Sequence, residues 1–134
     1  MDRTQLEEIA RRHGILLLLQ FGSFVSGRTH SQSDIDLAVL VERVPASLDQ
    51  HAELILDLQT LHPDREVDVA LINRADPLFL KKITEQCLLV YGSTRQLHEL
   101  KMYAFKRHQD HRKYLAMERA YVARALRTAS DDRR

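Results

Sequence analysis

The chain of 134 residues is poor in the residues that cross-link or divide a protein, with one cysteine, four glycines and three prolines. The lone Cys87 cannot form an internal disulfide. No low-complexity stretch forms a linker, and no segment is repeated. With 44% hydrophobic and 29% charged residues, the chain is long enough for one core. We therefore expect a single folded unit.

The sequence also lacks a signal peptide and a long apolar run. Residues 1–10 do not show the charged-then-apolar layout of a secretory leader. The longest stretch without Asp, Glu, Lys or Arg, His13–Gly27, is too short, and in its second half too polar, to span a bilayer. These absences predict a cytoplasmic protein without a membrane segment.

Charge is unevenly distributed behind the formal net charge of +1. Residues 1–94 carry nine Lys and Arg against 14 Asp and Glu, whereas residues 95–134 carry 11 against five. A basic tail can indicate nucleic-acid binding, but these charges interleave with an apolar helical pattern. A solvated or partner-facing helix explains them better, so direct nucleic-acid binding is not expected.

Four apolar runs alternate with helical patterns. Such runs indicate strands buried on both faces, which need helices to cover them. The predicted strands are Ile15–Phe21, Asp34–Val41, Glu66–Ile72 and Cys87–Tyr91. We expect an α/β or α+β domain over residues 1–92, with a mixed or parallel sheet of about four strands. A helical extension, residues 93–134, should pack on this domain or on a partner.

Helix start signals precede the predicted helices. A Thr or Ser followed three residues later by Glu or Gln forms a capping box, and Asp before Pro is an N-cap; these residues are Thr4, Ser47, Asp76 and Ser93. Gly14 suits the end of the first helix, at 5–13. The expected apolar stripe of the second helix consists of Leu48, Ala52, Ile55 and Leu58.

Two aspartates stand at the mouth of the second apolar run. Because side chains along a strand alternate between faces, Asp34 and Asp36 should point the same way, repel each other and need a cation. Asp68 has a similar place at the start of the third strand. Three carboxylates at strand ends suit Mg²⁺. The alternative is that each is a turn or cap residue, which holds better for Asp68 alone than for the pair.

A Gly-Ser pair ends the first predicted strand, about a dozen residues before the aspartates. A strand that turns sharply into a helix presents free backbone amides, and glycine lets a phosphate approach the backbone closely. Gly22 and Ser23 would thus hold phosphates while the aspartates hold metal. A nucleoside triphosphate fits this arrangement.

The stretch GSFVSGRTHSQSDIDLAV resembles the nucleotidyltransferase signature of the DNA polymerase β superfamily, and Asp68 matches its third acidic position. The short chain is most similar to the minimal nucleotidyltransferases, the MntA-like antitoxins of HEPN ribonuclease toxins. The resemblance implies that Gly22 and Ser23 bind triphosphate, with Ser33 beside them. It further implies that Asp34, Asp36 and Asp68 hold two Mg²⁺ ions.

The same resemblance implies a reaction and a partner. AMP would pass from ATP to a tyrosine hydroxyl of the HEPN toxin, and pyrophosphate would leave. One departure concerns the phosphate-binding cation: many members carry Ala-Arg before the second glycine, where this chain has Val25-Ser26 and places Arg28 after Gly27. Arg28 is the candidate cation.

Two other functions stay open beside protein adenylylation. The chain can be an antitoxin that neutralises its toxin by contact alone, with an idle nucleotide site. It can also transfer AMP to a small molecule, although such enzymes resemble longer chains with an added helical domain. Three carboxylates at strand ends favour catalysis over binding alone, because they are poorly tolerated without a ligand.

Overall fold

The computed structural model describes residues 2–22 and 34–132. In these residues the helices are α1 (Arg3–His13), α2 (Leu48–Gln59), α3 (Pro77–Glu85) and α4 (Thr94–Asp132). The strands are β1 (Ile15–Phe21), β2 (Ile35–Val41), β3 (Val67–Leu71) and β4 (Cys87–Tyr91), and a 3₁₀ turn spans Ile72–Arg74. None of the described helices is both long and apolar enough to cross a membrane.

The strands form one mixed sheet in the order β3-β2-β1-β4. β1 pairs antiparallel with β2 and with β4, whereas β2 and β3 are parallel. The predicted mixed sheet of about four strands is therefore confirmed. Its two parallel strands are those that carry the candidate aspartates.

Helices cover both faces of the sheet, so the central strands are buried as the sequence predicted. On one face, α1 and α2 pack with alternate residues of β2, the set Ile35, Leu37, Val39 and Val41. On the other face, α3 and α4 pack with β1 and with Ala38 of β2. Because side chains alternate along β2, Asp36 shares the α3–α4 face with Ala38.

The helix caps agree with the sequence at three of four positions. The side chains of Ser47 and Asp76 accept hydrogen bonds from Gln50 and Phe79 backbone amides, at 3.2 and 2.8 Å. Ser93 caps α4 in the same way, and the Gln96 side chain accepts from the Ser93 amide in return.

The first helix differs from its prediction. It starts at Arg3, before Thr4, because Asp2 accepts a hydrogen bond from the Thr4 amide at 3.0 Å and serves as the N-cap. Its end is as predicted, at Gly14 in the left-handed conformation with φ +64°.

The prediction of an apolar stripe on α2 is wrong for two of its four residues. Leu48 is 83% exposed and Ala52 is also exposed, while Leu54 and Leu58 are buried against the sheet. The reason is that Leu54 and Leu58 pack in the core, and this rotation also brings Asp57 into contact with α1. Asp57 Oδ2 lies 3.0 Å from Arg12 Nη1 and 2.6 Å from His13 Nε2, which joins α2 to α1.

Two side-chain amides lock β3 in register beside β2. Gln59, the last residue of α2, donates to the carbonyls of His62 and Arg65 and accepts from the Val67 amide at 3.0 Å. Past the end of β3, Asn73 makes two hydrogen bonds to the backbone of Val41. The position of Asp68 along β2 is thereby fixed from both ends of its strand.

The long helix α4 has two unlike parts. Near its start, Leu100 and Ala104 are buried in the core beside α3. Farther along, large apolar side chains are exposed: Tyr114, Met117, Tyr121, Val122 and Leu126. We refer to residues 112–126 as the distal surface of α4.

Candidate active site

The central feature of the site is a pair of aspartates on neighbouring parallel strands. Asp36 of β2 and Asp68 of β3 are Cα partners in the register, two positions before the partners Ala38 and Ala70. Parallel neighbours of this kind lie about 4.8 Å apart and place their side chains on the same face. Like charges directly opposite one another destabilise a sheet. A cation bound between the two carboxylates would relieve this repulsion.

These carboxylates line a cleft of about 1110 Å³ beside α3. Gly22 and Phe21, at the end of β1, border the same cleft, and Phe79 and Lys82 line it from α3. The cleft is large enough for a nucleotide-sized ligand. It opens where β1 ends and where β2 and β3 begin.

The charges around the cleft favour binding of a cation. Partial burial raises the pKa of Asp36, and the charges of Asp68 and Asp34 raise it further. Lys82 lowers this pKa in part. A bound cation would reverse the shift, since it favours the ionised carboxylate.

At Gly22 the backbone lies close to the carboxylate of Asp36. The φ of Gly22 is +85°, which favours glycine over other residues. A Cβ at this position would lie 2.1 Å from Asp36 Oδ2. No other residue fits without displacing the carboxylate, so the glycine of the motif is required by the aspartate as well as by the turn.

The other candidate residues either do not line the cleft or lie outside the described part of the chain. Asp34 is exposed, precedes β2 and does not line the cleft, although its charge reaches Asp36. Ser23, Arg28 and Ser33 lie outside the described residues. Their roles remain predictions.

The donor set suits Mg²⁺ when a phosphate ligand is present. Within residues 2–22 and 34–132, no group of three or more His, Cys, Asp or Glu side chains is arranged to hold a metal ion. Mg²⁺ is usually bound by one or two carboxylates together with substrate phosphates and waters. The pair Asp36 and Asp68, with the phosphate site predicted at Gly22, matches that smaller requirement.

Sequence reasoning missed the residues that α3 brings to the cleft wall, among them Phe79 and Lys82. Phe79 packs edge-on against Phe21, with ring centroids 5.9 Å apart and an interplanar angle of 87°. Lys82 lies three residues later on the same face of α3. Neither belongs to the Gly-Ser…Asp-x-Asp motif, and only their spacing on a helix after a third strand could have indicated them.

Comparison with known proteins places the chain in a family. The model for "Polymerase beta, Nucleotidyltransferase" matches residues 4–96, more than half of the chain. The chain therefore belongs to this nucleotidyltransferase family, which confirms the enzyme class predicted from the motif. Among curated proteins, none matches the sequence significantly.

The fold is similar to chains of solved toxin–antitoxin complexes. One, crystallised with AMP-PNP, has a TM-score of 0.69 and 21% identity, covering 94% of this chain and 98% of the other. Another contains tri-AMPylated Shewanella oneidensis HEPN toxin with MNT antitoxin, with a TM-score of 0.63, 19% identity and coverages of 92% and 93%. At these identities the likeness shows a shared fold.

A third similar structure is an antibiotic-modifying enzyme. Spectinomycin adenyltransferase AAD(9) from Enterococcus faecialis, solved with ATP and spectinomycin, has a TM-score of 0.53 and 16% identity. The match covers 72% of this chain but only 57% of that one. The shared fold thus occurs in longer chains as well.

Gly22→Ala should strongly reduce nucleotidyl transfer while the protein stays folded. The new methyl group displaces the Asp36 carboxylate, and a displacement of about 1 Å at a reacting centre can cost about 100-fold in rate. Gly14→Ala is the matched control: its φ is also positive, but its Cβ would meet only Glu42, at 3.6 Å. Equilibrium unfolding and activity assays compare the two. Equal activity of both variants would contradict the proposed contact.

Proposed function

We propose that this protein is a Mg²⁺-dependent adenylyltransferase that transfers AMP from ATP to a tyrosine hydroxyl of a cognate HEPN toxin, and so acts as its antitoxin in the cytoplasm. The observation that carries the proposal is the register pair of Asp36 and Asp68 beside Gly22 in an open cleft. The family and the similar toxin–antitoxin complexes support it.

Different residues of the cleft have different proposed roles in the reaction. Asp36 and Asp68 would hold Mg²⁺, with Asp34, just before β2, as a further ligand for the second ion. When bound, Mg²⁺ supplies charge stabilisation at the α-phosphate and the leaving pyrophosphate. Gly22 lets the triphosphate approach the backbone, with Ser23, Ser33 and Arg28 in supporting roles.

The transfer is an in-line displacement. The acceptor oxygen forms a bond to the α-phosphorus as the bond to the bridging oxygen of pyrophosphate breaks. Asp68 is the exposed member of the pair. Its proposed role is to help the bound metal activate the acceptor hydroxyl, whose proton is lost as the new bond forms.

A protein acceptor suits this chain better than a small molecule. The match to spectinomycin adenyltransferase leaves 43% of that longer chain without a counterpart here. A macromolecular acceptor supplies its own positioning surface, which makes a separate substrate domain unnecessary.

The distal surface of α4 is the proposed contact for the toxin. Large exposed apolar patches mark interaction sites, and Met117 and Tyr121 are 72% and 74% exposed. Leu115, Val122 and Leu126 line a shallow groove along the same stretch. This surface also supports the second candidate function, an antitoxin that acts by contact alone.

The transfer reaction is tested by intact-mass spectrometry of the HEPN toxin. The toxin is incubated with this protein, Mg²⁺ and each nucleoside triphosphate in turn. It should gain one or more AMP groups when ATP is supplied and no mass with the other nucleoside triphosphates. Asp36→Asn should abolish the gain, because one metal ligand is lost, whereas Asp49→Asn, an exposed carboxylate of α2, should not. A stable complex without any mass gain would support neutralisation by contact instead.

The docking surface is tested by charge reversal. The variant Arg112→Glu, Lys113→Glu, Arg119→Glu should weaken complex formation about tenfold or more and flatten its salt dependence, because these cations flank the apolar groove. The control reverses three exposed cations on the body: Arg11, Arg43 and Arg74. Calorimetric titration at two salt concentrations measures both. Equal affinity of the two variants would overturn the role given to α4.

A further inference from the structure

The helix α3 carries a lysine into the nucleotide cleft. Leu80 and Ile83 are buried and fix the rotation of the helix on the sheet. Phe79, on the adjacent face, packs against Phe21, which is the Cα partner of Asp36. Lys82 follows Phe79 by three residues, so the same face brings its side chain to the cleft that Asp36 and Asp68 line.

The lysine is available for an anionic ligand. Lys82 forms no hydrogen bond or ion pair with the described residues, and its side chain is exposed. The neighbouring Lys81 differs, because its Nζ lies 2.7 Å from Glu85 Oε1. Lys82 and Asp36 line the same cleft, and the charge of Lys82 lowers the pKa of Asp36.

The charge balance of the loaded site calls for such a cation. A triphosphate brings several negative charges to a cleft that Asp36, Asp68 and Glu85 already line, with Asp34 nearby. One or two divalent ions offset part of this charge. A mobile ammonium on the facing wall is suited to offset more, since lysine binds phosphate as a point charge without demanding a fixed geometry.

We propose that Lys82 binds the triphosphate of the nucleotide, from the α3 wall of the cleft opposite Gly22 and the carboxylates. The inference rests on the proposed function, because it presupposes a nucleoside triphosphate in this cleft. It assigns α3 to substrate binding and gives the site a phosphate-binding cation outside the signature motif. Lys82 contacts the phosphates beyond the α-phosphate, so its contribution grows with the length of the phosphate chain.

The test compares nucleotide affinities of Lys82→Gln, Lys82→Arg and the wild-type protein. Calorimetry with Mg²⁺ and AMP-PNP should show a loss of about tenfold or more for Lys82→Gln and partial recovery for Lys82→Arg. The affinity for AMP should stay unchanged. Lys106→Gln is the control, because it removes an exposed lysine of α4 that does not line the cleft.

The outcomes separate this inference from the proposed function. Equal AMP-PNP affinity of Lys82→Gln and wild type would overturn the role of Lys82 alone, and so would an equal loss for AMP and AMP-PNP. Absence of nucleotide binding by the wild-type protein would overturn both. Gln retains good helix propensity at this exposed position, and far-ultraviolet circular dichroism checks that the variant is folded.

Discussion

The parallel register of β2 and β3 is the constraint on which the site depends. It sets Asp36 directly opposite Asp68, an arrangement that a sheet without a ligand disfavours. The fold holds the pair in place through apolar packing on both faces of the sheet. Buried packing therefore offsets a local electrostatic repulsion, and this repulsion is the reason for proposing a cation site here.

Polar contacts remote from the cleft set this register. Gln59 holds the backbone that leads into β3 and Asn73 holds the end of β2, so the two strands cannot slip by a residue. A slip of one position would turn Asp68 to the opposite face. At the other border of the cleft, Gly22 admits the Asp36 carboxylate against its backbone. The positions of the two aspartates thus depend on backbone hydrogen bonds and on close packing at Gly22.

The strands and the face of β2 that Asp36 occupies were predictable because their signals are local, whereas its pairing with Asp68 depends on the register of two strands. The boundaries of β1 and β4 agree with the apolar runs to the residue, and the alternation that places Asp36 apart from Ile35 and Leu37 needs only the period of a strand. The rotation of α2 was not predictable, because its leucines and isoleucine allow more than one stripe and packing on the sheet, which buries Leu54 and Leu58, selects one of them. Lys82 was missed for a similar reason: its place beside the cleft arises from the packing of α3 and not from a motif.

The central claim, that Asp36 belongs to a cation site completed by nucleotide, is tested most directly by measuring its pKa by NMR. Without ligand, the pKa should lie above the ordinary value of 3.8, and Asp68→Asn should lower it because one like charge is removed. With saturating Mg²⁺ and AMP-PNP, the pKa should fall below 3.8. An ordinary pKa that responds neither to Asp68→Asn nor to Mg²⁺ with nucleotide would contradict the account.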